Sequence, residues 1–178
     1  MQNPVERALG STSVPPEPAV VKGFALSQAE SPSQIALARE LFLEYETALG
    51  ISLCFQGFEQ ELAGLPGKYA PPSGRLLLGM YEGAIAGCVA LHALEPTIGE
   101  MKRLYLRPAF RGKGLGNAMV AAIVAEARAI GYLHLRLDTI EPLMKSAVAM
   151  YRRIGFREIA PYCANPVEGA LYMELELG

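Results

Sequence analysis

Seven residues past the middle of the chain, Arg111-Gly112-Lys113-Gly114-Leu115-Gly116-Asn117, combine glycines and cations at a spacing that can grip an anion. Glycine lets backbone N–H groups turn toward a ligand with no Cβ in the way. The segment lies between an alternating strand pattern that ends at Arg107-Pro108 and an apolar helix pattern that starts at Asn117. A helix start carries unsatisfied donors and partial positive charge, so loop and helix together suit a pyrophosphate. Arg107, Arg111 and Lys113 add basic charge to the same edge. A Walker loop needs Gly-Lys-Ser/Thr after a longer spacer, and the sequence lacks it. A Rossmann fingerprint would place glycine where Asn117 stands and would follow the first strand, whereas this loop follows about the fourth. A plain glycine turn between strand and helix would show the same residues.

The flanking patterns supply the elements that must hold this loop. Val20–Leu26 reads as a first strand. Ser31-Pro32 opens a helix as N-cap and first position, with Ile35, Leu37, Ala38, Leu41 and Phe42 at helical spacing to about Tyr45. Phe55, Phe58, Leu62 and Leu65 predict a second, short helix ending near Pro66-Gly67. Arg75–Tyr81 and Ala84–Leu94 read as a hairpin turning at Glu82-Gly83. Gly99–Arg107 alternates, with Met101, Arg103 and Tyr105 on one face and Lys102, Leu104 and Leu106 on the other. Asn117–Ile130 is apolar nearly all round, as befits a helix packed on a sheet, and Gly131 stops it. Leu133, Leu135 and Leu137 mark a further strand, Met144–Arg153 a helix, and Arg157–Ala160 and Leu171–Leu177 two closing strands. The expected fold class is α/β in the α+β sense, a mixed, mostly antiparallel sheet of about seven strands flanked by helices.

Composition bounds the function. With 178 residues, 51% of them hydrophobic and 19% charged, the chain can bury one core. A net charge of −2 leaves no footprint for nucleic acid or an anionic membrane. Cys54, Cys88 and Cys163 show neither metal-ligand spacing nor a disulfide framework, so they are expected as small core residues in a cytoplasmic protein. No apolar run reaches the length of a membrane span. Residues 1–19, with four prolines, read as a flexible lead-in before a single domain over 20–178. Exposed strands near the C-terminus are a candidate homodimer contact.

Arg111-x-x-Gly114-x-Gly116, after an alternating strand that ends in Arg-Pro, resembles motif A of the GNAT N-acetyltransferases. Ala147-Val148-Ala149-Met150-Tyr151-Arg152-Arg153-Ile154-Gly155-Phe156 resembles the same family's motif B, at the family's spacing. The resemblance runs from Val20 to Leu177 in element order and is motif-level from about Glu100 to Phe156. It implies that the amides of Gly112, Lys113, Gly114, Leu115, Gly116 and Asn117, with Arg111, hold acetyl-CoA by its pyrophosphate. It also implies that Leu104, Tyr105 and Leu106 bind the pantetheine arm through their backbone. In the family an Asn often stands seven residues before the helix tyrosine; here Met144 occupies that position, leaving Lys145 or Ser146 as replacements.

Acyl transfer to an amine needs a neutral amine, a donor for the oxyanion and a proton for the departing thiolate. The resemblance makes Tyr151 the acid; a tyrosine anchoring its helix in the core would look the same. The oxyanion donor is a backbone N–H on the Gly99–Arg107 strand, at Leu104 by resemblance. Glu100 is the expected base, directly or through water, although it could instead pair with Lys102 or Arg103. His92 and His134 are expected as ordinary strand residues. Phe55, Gln56, Tyr69 and Arg75 in the 65–75 loop, and Tyr162 and Asn165, are the candidates for acceptor binding. The expected activity is transfer of acetyl from acetyl-CoA to a small-molecule primary amine in a ternary complex. A non-catalytic acyl-CoA sensor is the alternative.

Overall fold

The computed structural model describes residues 20–178, so the expected lead-in at 1–19 lies outside the described residues. Strand β1 (Phe24–Gln28) starts later than expected, Val20 being 96% exposed. Helix α1 (Pro32–Leu49) opens with Ser31 accepting from the Gln34 N–H while the Gln34 side chain accepts from the Ser31 N–H. This reciprocal cap satisfies two orphan donors. The helix runs past Tyr45 to Gly50, whose φ of 67° closes it. The expected second helix is split: Cys54–Gln56 forms a single 3₁₀ turn, and Gly57, at φ 68°, separates it from α2 (Phe58–Gly64). Next come β2 (Arg75–Tyr81), β3 (Ala84–Glu95) and β4 (Ile98–Leu106), an antiparallel meander. Then follow α3 (Leu115–Ile130), β5 (His134–Ile140), α4 (Lys145–Ile154), the two-residue β6 (Arg157–Glu158) and β7 (Ala170–Glu176).

The seven strands form one sheet in the order β1-β2-β3-β4-β5-β7-β6, antiparallel throughout except for the β4–β5 pair. Side-chain alternation splits the interior into two cores. Leu76 and Leu78 face α1 and α2 with Leu41, Phe42 and Tyr69, while Leu77 faces α3 with Met119 and Ile123. Burying a side chain such as Ile123, which is 0% exposed, contributes about 1.5–3 kcal/mol. Of the cysteines only Cys88 is a core residue; Cys54 and Cys163 are exposed because each stands on a surface connection. No helix among the described residues is long and apolar enough to cross a membrane.

Candidate active site

The site begins where the sheet forks. β4 and β5 pair only over Ile98–Glu100 and His134–Arg136, after which their paths separate. A bulge in β4 accompanies the separation: Ala90 faces Lys102 and Cys88 faces Tyr105, so Arg103 and Leu104 together oppose Val89. The extra residue changes the expected alternation. Met101 belongs to the α3 core, whereas Tyr105 lies in the α1 core and Arg103 packs on Phe58 of α2. Arg103 adopts φ 57°, which costs a non-glycine residue on the order of 1 kcal/mol. Its guanidinium is fixed by Glu61 at 2.5 Å and Gln56 at 2.9 Å and lies over the Phe58 ring. Across from the bulge, a Cβ on Gly87 would stand 2.0 Å from the Tyr105 carbonyl oxygen, so only glycine permits this approach.

One arm of the fork is a groove of about 440 Å³ between β4 and the starts of α3 and α4. Leu104, Tyr105, Leu106, Arg111, Gly112 and Leu115–Asn117 line it, opposite Met144, Ser146 and Met150. None of the six backbone N–H groups from Gly112 to Asn117 donates to another group among the described residues. The first bond of α3 is from Ala118 to Gly114. Gly112 and Gly114 stand at φ 75° and 78°, which aims their amides along the helix start. Gly116 is different. A Cβ there would find its nearest atom, Met150 Sδ, at 3.6 Å, so the fold has room for a side chain and the groove alone benefits from its absence. Free amides, the positive end of a 16-residue helix and a glycine floor together fit a diphosphate.

The basic charges divide. Arg111 donates to the Leu106 carbonyl at 3.0 Å and stays at the groove, while Lys113 leans over the Tyr81 ring. Arg107 is tied to Glu40 and Glu44 on α1, so it joins helix to sheet instead of facing the groove. Arg153, unremarked within the second motif, lines the groove. Of the two replacements expected around Met144, Ser146 faces the groove and Lys145 does not.

The other arm is a cavity of about 40 Å³ between Lys102–Leu104 and Leu137–Ile140, covered by Leu53, Phe55, Gln56 and Asn165. Tyr151, on α4, is 4% exposed and lines this cavity. Burial pushes its phenol well above the ordinary range, so the proton is retained at neutral pH. Of the residues expected to bind the acceptor, Phe55, Gln56 and Asn165 line this cavity. Tyr69 and Arg75 do not. Tyr69 is fully buried, bonded to Glu61 and packed edge-on against Phe42 and His92. Arg75 pairs with Glu126 of α3, on the opposite face of the sheet. Tyr162 stays outside the cavity lining and donates to Glu100 Oε1 at 2.8 Å.

Glu100 is 4% exposed, and both of its oxygens are engaged, by Tyr162, by His92 Nε2 at 2.7 Å and by Lys102 at 3.4 Å. Burial works against its charge, but the His92 hydrogen bond and the Lys102 cation prevail and hold the carboxyl down at about 2. His92 is therefore more than a strand residue: its Nδ1 lies 2.7 Å from the Ala93 carbonyl, and Lys68 sits 3.3 Å from Nε2. His134 lies near the surface beside Glu174. Two charged groups complete the cavity: Lys102, named from the sequence only as a possible partner of Glu100, and Asp138, which sequence reasoning passed over. Lys102 Nζ stands 2.6 Å from Asp138 Oδ1, and Asp138 Oδ2 accepts from Asn165 at 3.0 Å and Gln56 at 3.3 Å.

Residues 37–156 match the acetyltransferase (GNAT) family. An uncharacterized N-acetyltransferase of Schizosaccharomyces pombe is 38% identical over 156 residues, 86% of this chain and 95% of that protein. An uncharacterized N-acetyltransferase of Escherichia coli is 27% identical and covers 93% of this chain and 99% of its own. In fold, a GNAT acetyltransferase from Elizabethkingia anophelis, solved with acetyl-CoA bound, superposes with a TM-score of 0.65 at 19% identity, over 87% of this chain and 99% of that one. Motif order, forked sheet, free amides and family match agree: the chain belongs to the GNAT family of acetyltransferases, with acetyl-CoA as co-substrate.

Proposed function

We propose that the protein transfers acetyl from acetyl-CoA directly to a primary amine of a small molecule. One observation supports this above the others: a buried tyrosine lines the cavity that adjoins a groove floored by six amides with no partner among the described residues. Acetyl-CoA supplies the thioester carbonyl. The amides of Gly112–Asn117 hold its diphosphate. The β5-facing edge of β4 beyond Glu100 has no strand partner, so its main-chain groups are open to a ligand that lies along Leu104–Leu106. An N–H on that edge stabilises the oxyanion.

The amine nitrogen bonds the acetyl carbon as the carbon–sulfur bond breaks. Tyr151 gives its proton to the departing sulfur, and the proton lost by nitrogen passes to solvent and returns to the phenolate. Glu100, ionised down to about pH 2, serves as the fixed counter-charge for Lys102 and as the hydrogen-bond partner of His92 in this scheme. Direct attack is favoured because the cavity lining contains no cysteine or serine to carry the acyl group. Initial rates over a matrix of acetyl-CoA and amine concentrations, read through thiol release, test this. Intersecting reciprocal plots are expected; parallel plots would show an acyl-enzyme, and absence of amine-dependent thiol release would defeat the assignment.

A further inference from the structure

The acceptor cavity contains one carboxylate, Asp138, and two cations, Lys102 and Arg103. Both cations already have carboxylate partners. Arg103 places Nε and Nη2 on Glu61 and Nη1 on Gln56. Lys102 bridges Asp138 and Glu100. Arg103 and Lys102 are 4% and 11% exposed at the side chain, so neither can turn to solvent to free itself for an incoming anion. Breaking a buried pair strands a charge, which is strongly unfavourable. A substrate carboxylate entering here would find no available cation among the described residues, and it would approach Asp138, 5% exposed, in a poorly solvated space.

An ammonium meets the opposite situation. A carboxylate offers about four acceptor positions. Lys102, Gln56 and Asn165 take three on Asp138, leaving room for one more N–H at the wall of the cavity. The donors come from β4, the 3₁₀ turn after α1 and the loop before β7, so three separate elements hold the carboxylate in one place. At about 40 Å³ the cavity admits the reacting end of an acceptor and little more, which brings any group on the adjacent carbon against this lining.

Resting on the acetyltransferase reading above, we infer that Asp138 receives the acceptor's ammonium and that the substrate class is primary amines with no carboxylate on the amine-bearing carbon, α-amino acids being excluded. Asp138 is a binding and specificity residue in this scheme. The neutral amine forms only once the ammonium has been seated and its proton released to solvent.

The test uses matched pairs that differ by the carboxylate alone: ethylamine with alanine, 3-methylthiopropylamine with methionine, and 2-phenylethylamine with phenylalanine. Thiol release and calorimetric binding to the coenzyme A-loaded protein are measured for each. The decarboxylated member is expected to show at least about tenfold higher kcat/KM and tighter binding in every pair it enters. Asp138→Asn should raise its KM by about tenfold or more while the KM for acetyl-CoA stays unchanged. The wild-type comparison needs no variant and so stands if Asp138→Asn folds poorly. Preference for the amino acid, an Asp138→Asn enzyme with unaltered amine KM, or binding of neither member overturns the inference. The two readings part cleanly: Asp138-dependent amine binding without thiol release would defeat acetyl transfer alone, and thiol release with amino acids preferred would defeat the substrate class alone.

Discussion

The groove and the cavity open from the same fork in the sheet but are made of different material. The groove presents main-chain amides, a helix terminus and glycines within Leu104–Asn117, walled by side chains of α1 and α4. The cavity works through side chains from four distant places: Gln56, Lys102 and Arg103, Asp138, and Asn165. A donor shared by a whole family can be gripped by groups that every residue possesses. An acceptor must be told apart from its competitors, and only side chains do that. The groove thus relies on groups that do not depend on side-chain identity, and the cavity on groups that do.

The sharpest way to break this division is at Tyr151, which lines the cavity and not the groove. Tyr151→Phe should lower kcat by about 10²–10⁴ and leave acetyl-CoA affinity unchanged by calorimetry; loss of acetyl-CoA binding would place the residue in the groove instead. Next in size is acid. The Glu100 carboxyl is held down from its ordinary 4.5 to about 2, so its ionised form stabilises the fold fully above about pH 4.5, and that contribution disappears as pH falls toward 2. The loss amounts to roughly 3 kcal/mol. Urea midpoints of the wild type should decline across this window, and those of Glu100→Gln should decline less.

A smaller effect is expected at the groove floor. Gly116→Ala has space in the fold, so the thermal midpoint should hold while acetyl-CoA affinity drops by about tenfold, and the acceptor KM stays constant. Smallest of all is Arg75→Ala. Its pair with Glu126 is partly exposed, so stability should fall by less than about 1 kcal/mol, and neither KM should move. A change in acceptor KM would return the 65–75 loop to the binding site.

These contrasts explain what could be read from sequence. The groove was legible because glycine at φ 75° and 78° is chemically conspicuous and the motif is contiguous. Seven strands and their flanking helices followed from periodicity, since strands buried on both faces and helices packed on them leave strong apolar patterns. The split at Gly57 and the late start of β1 escaped, because apolar residues continued across both boundaries. The pairing of Lys102 with Asp138 was passed over for another reason: 36 residues separate them, and each looks like an ordinary polar position on an alternating strand. Arg75 misled because proximity in sequence to a proline-rich loop says nothing about which face of the sheet a strand residue takes. Glu100 was named as a base, but His92, Lys102 and Tyr162 set its ionisation, and only the fold brings His92 and Tyr162 to it.

The bulge at Arg103 and Leu104 has a consequence for how such an enzyme can change. On its β3 side β4 is one residue longer than its neighbour, and the two residues of the bulge, Arg103 and Leu104, also line the cavity on its β5 side. Removing a single residue from that stretch would put β4 back in step with β3 and turn the side chains on one side of the deletion to the opposite face, so the wall of the cavity depends on chain length along β4 as well as on residue identity.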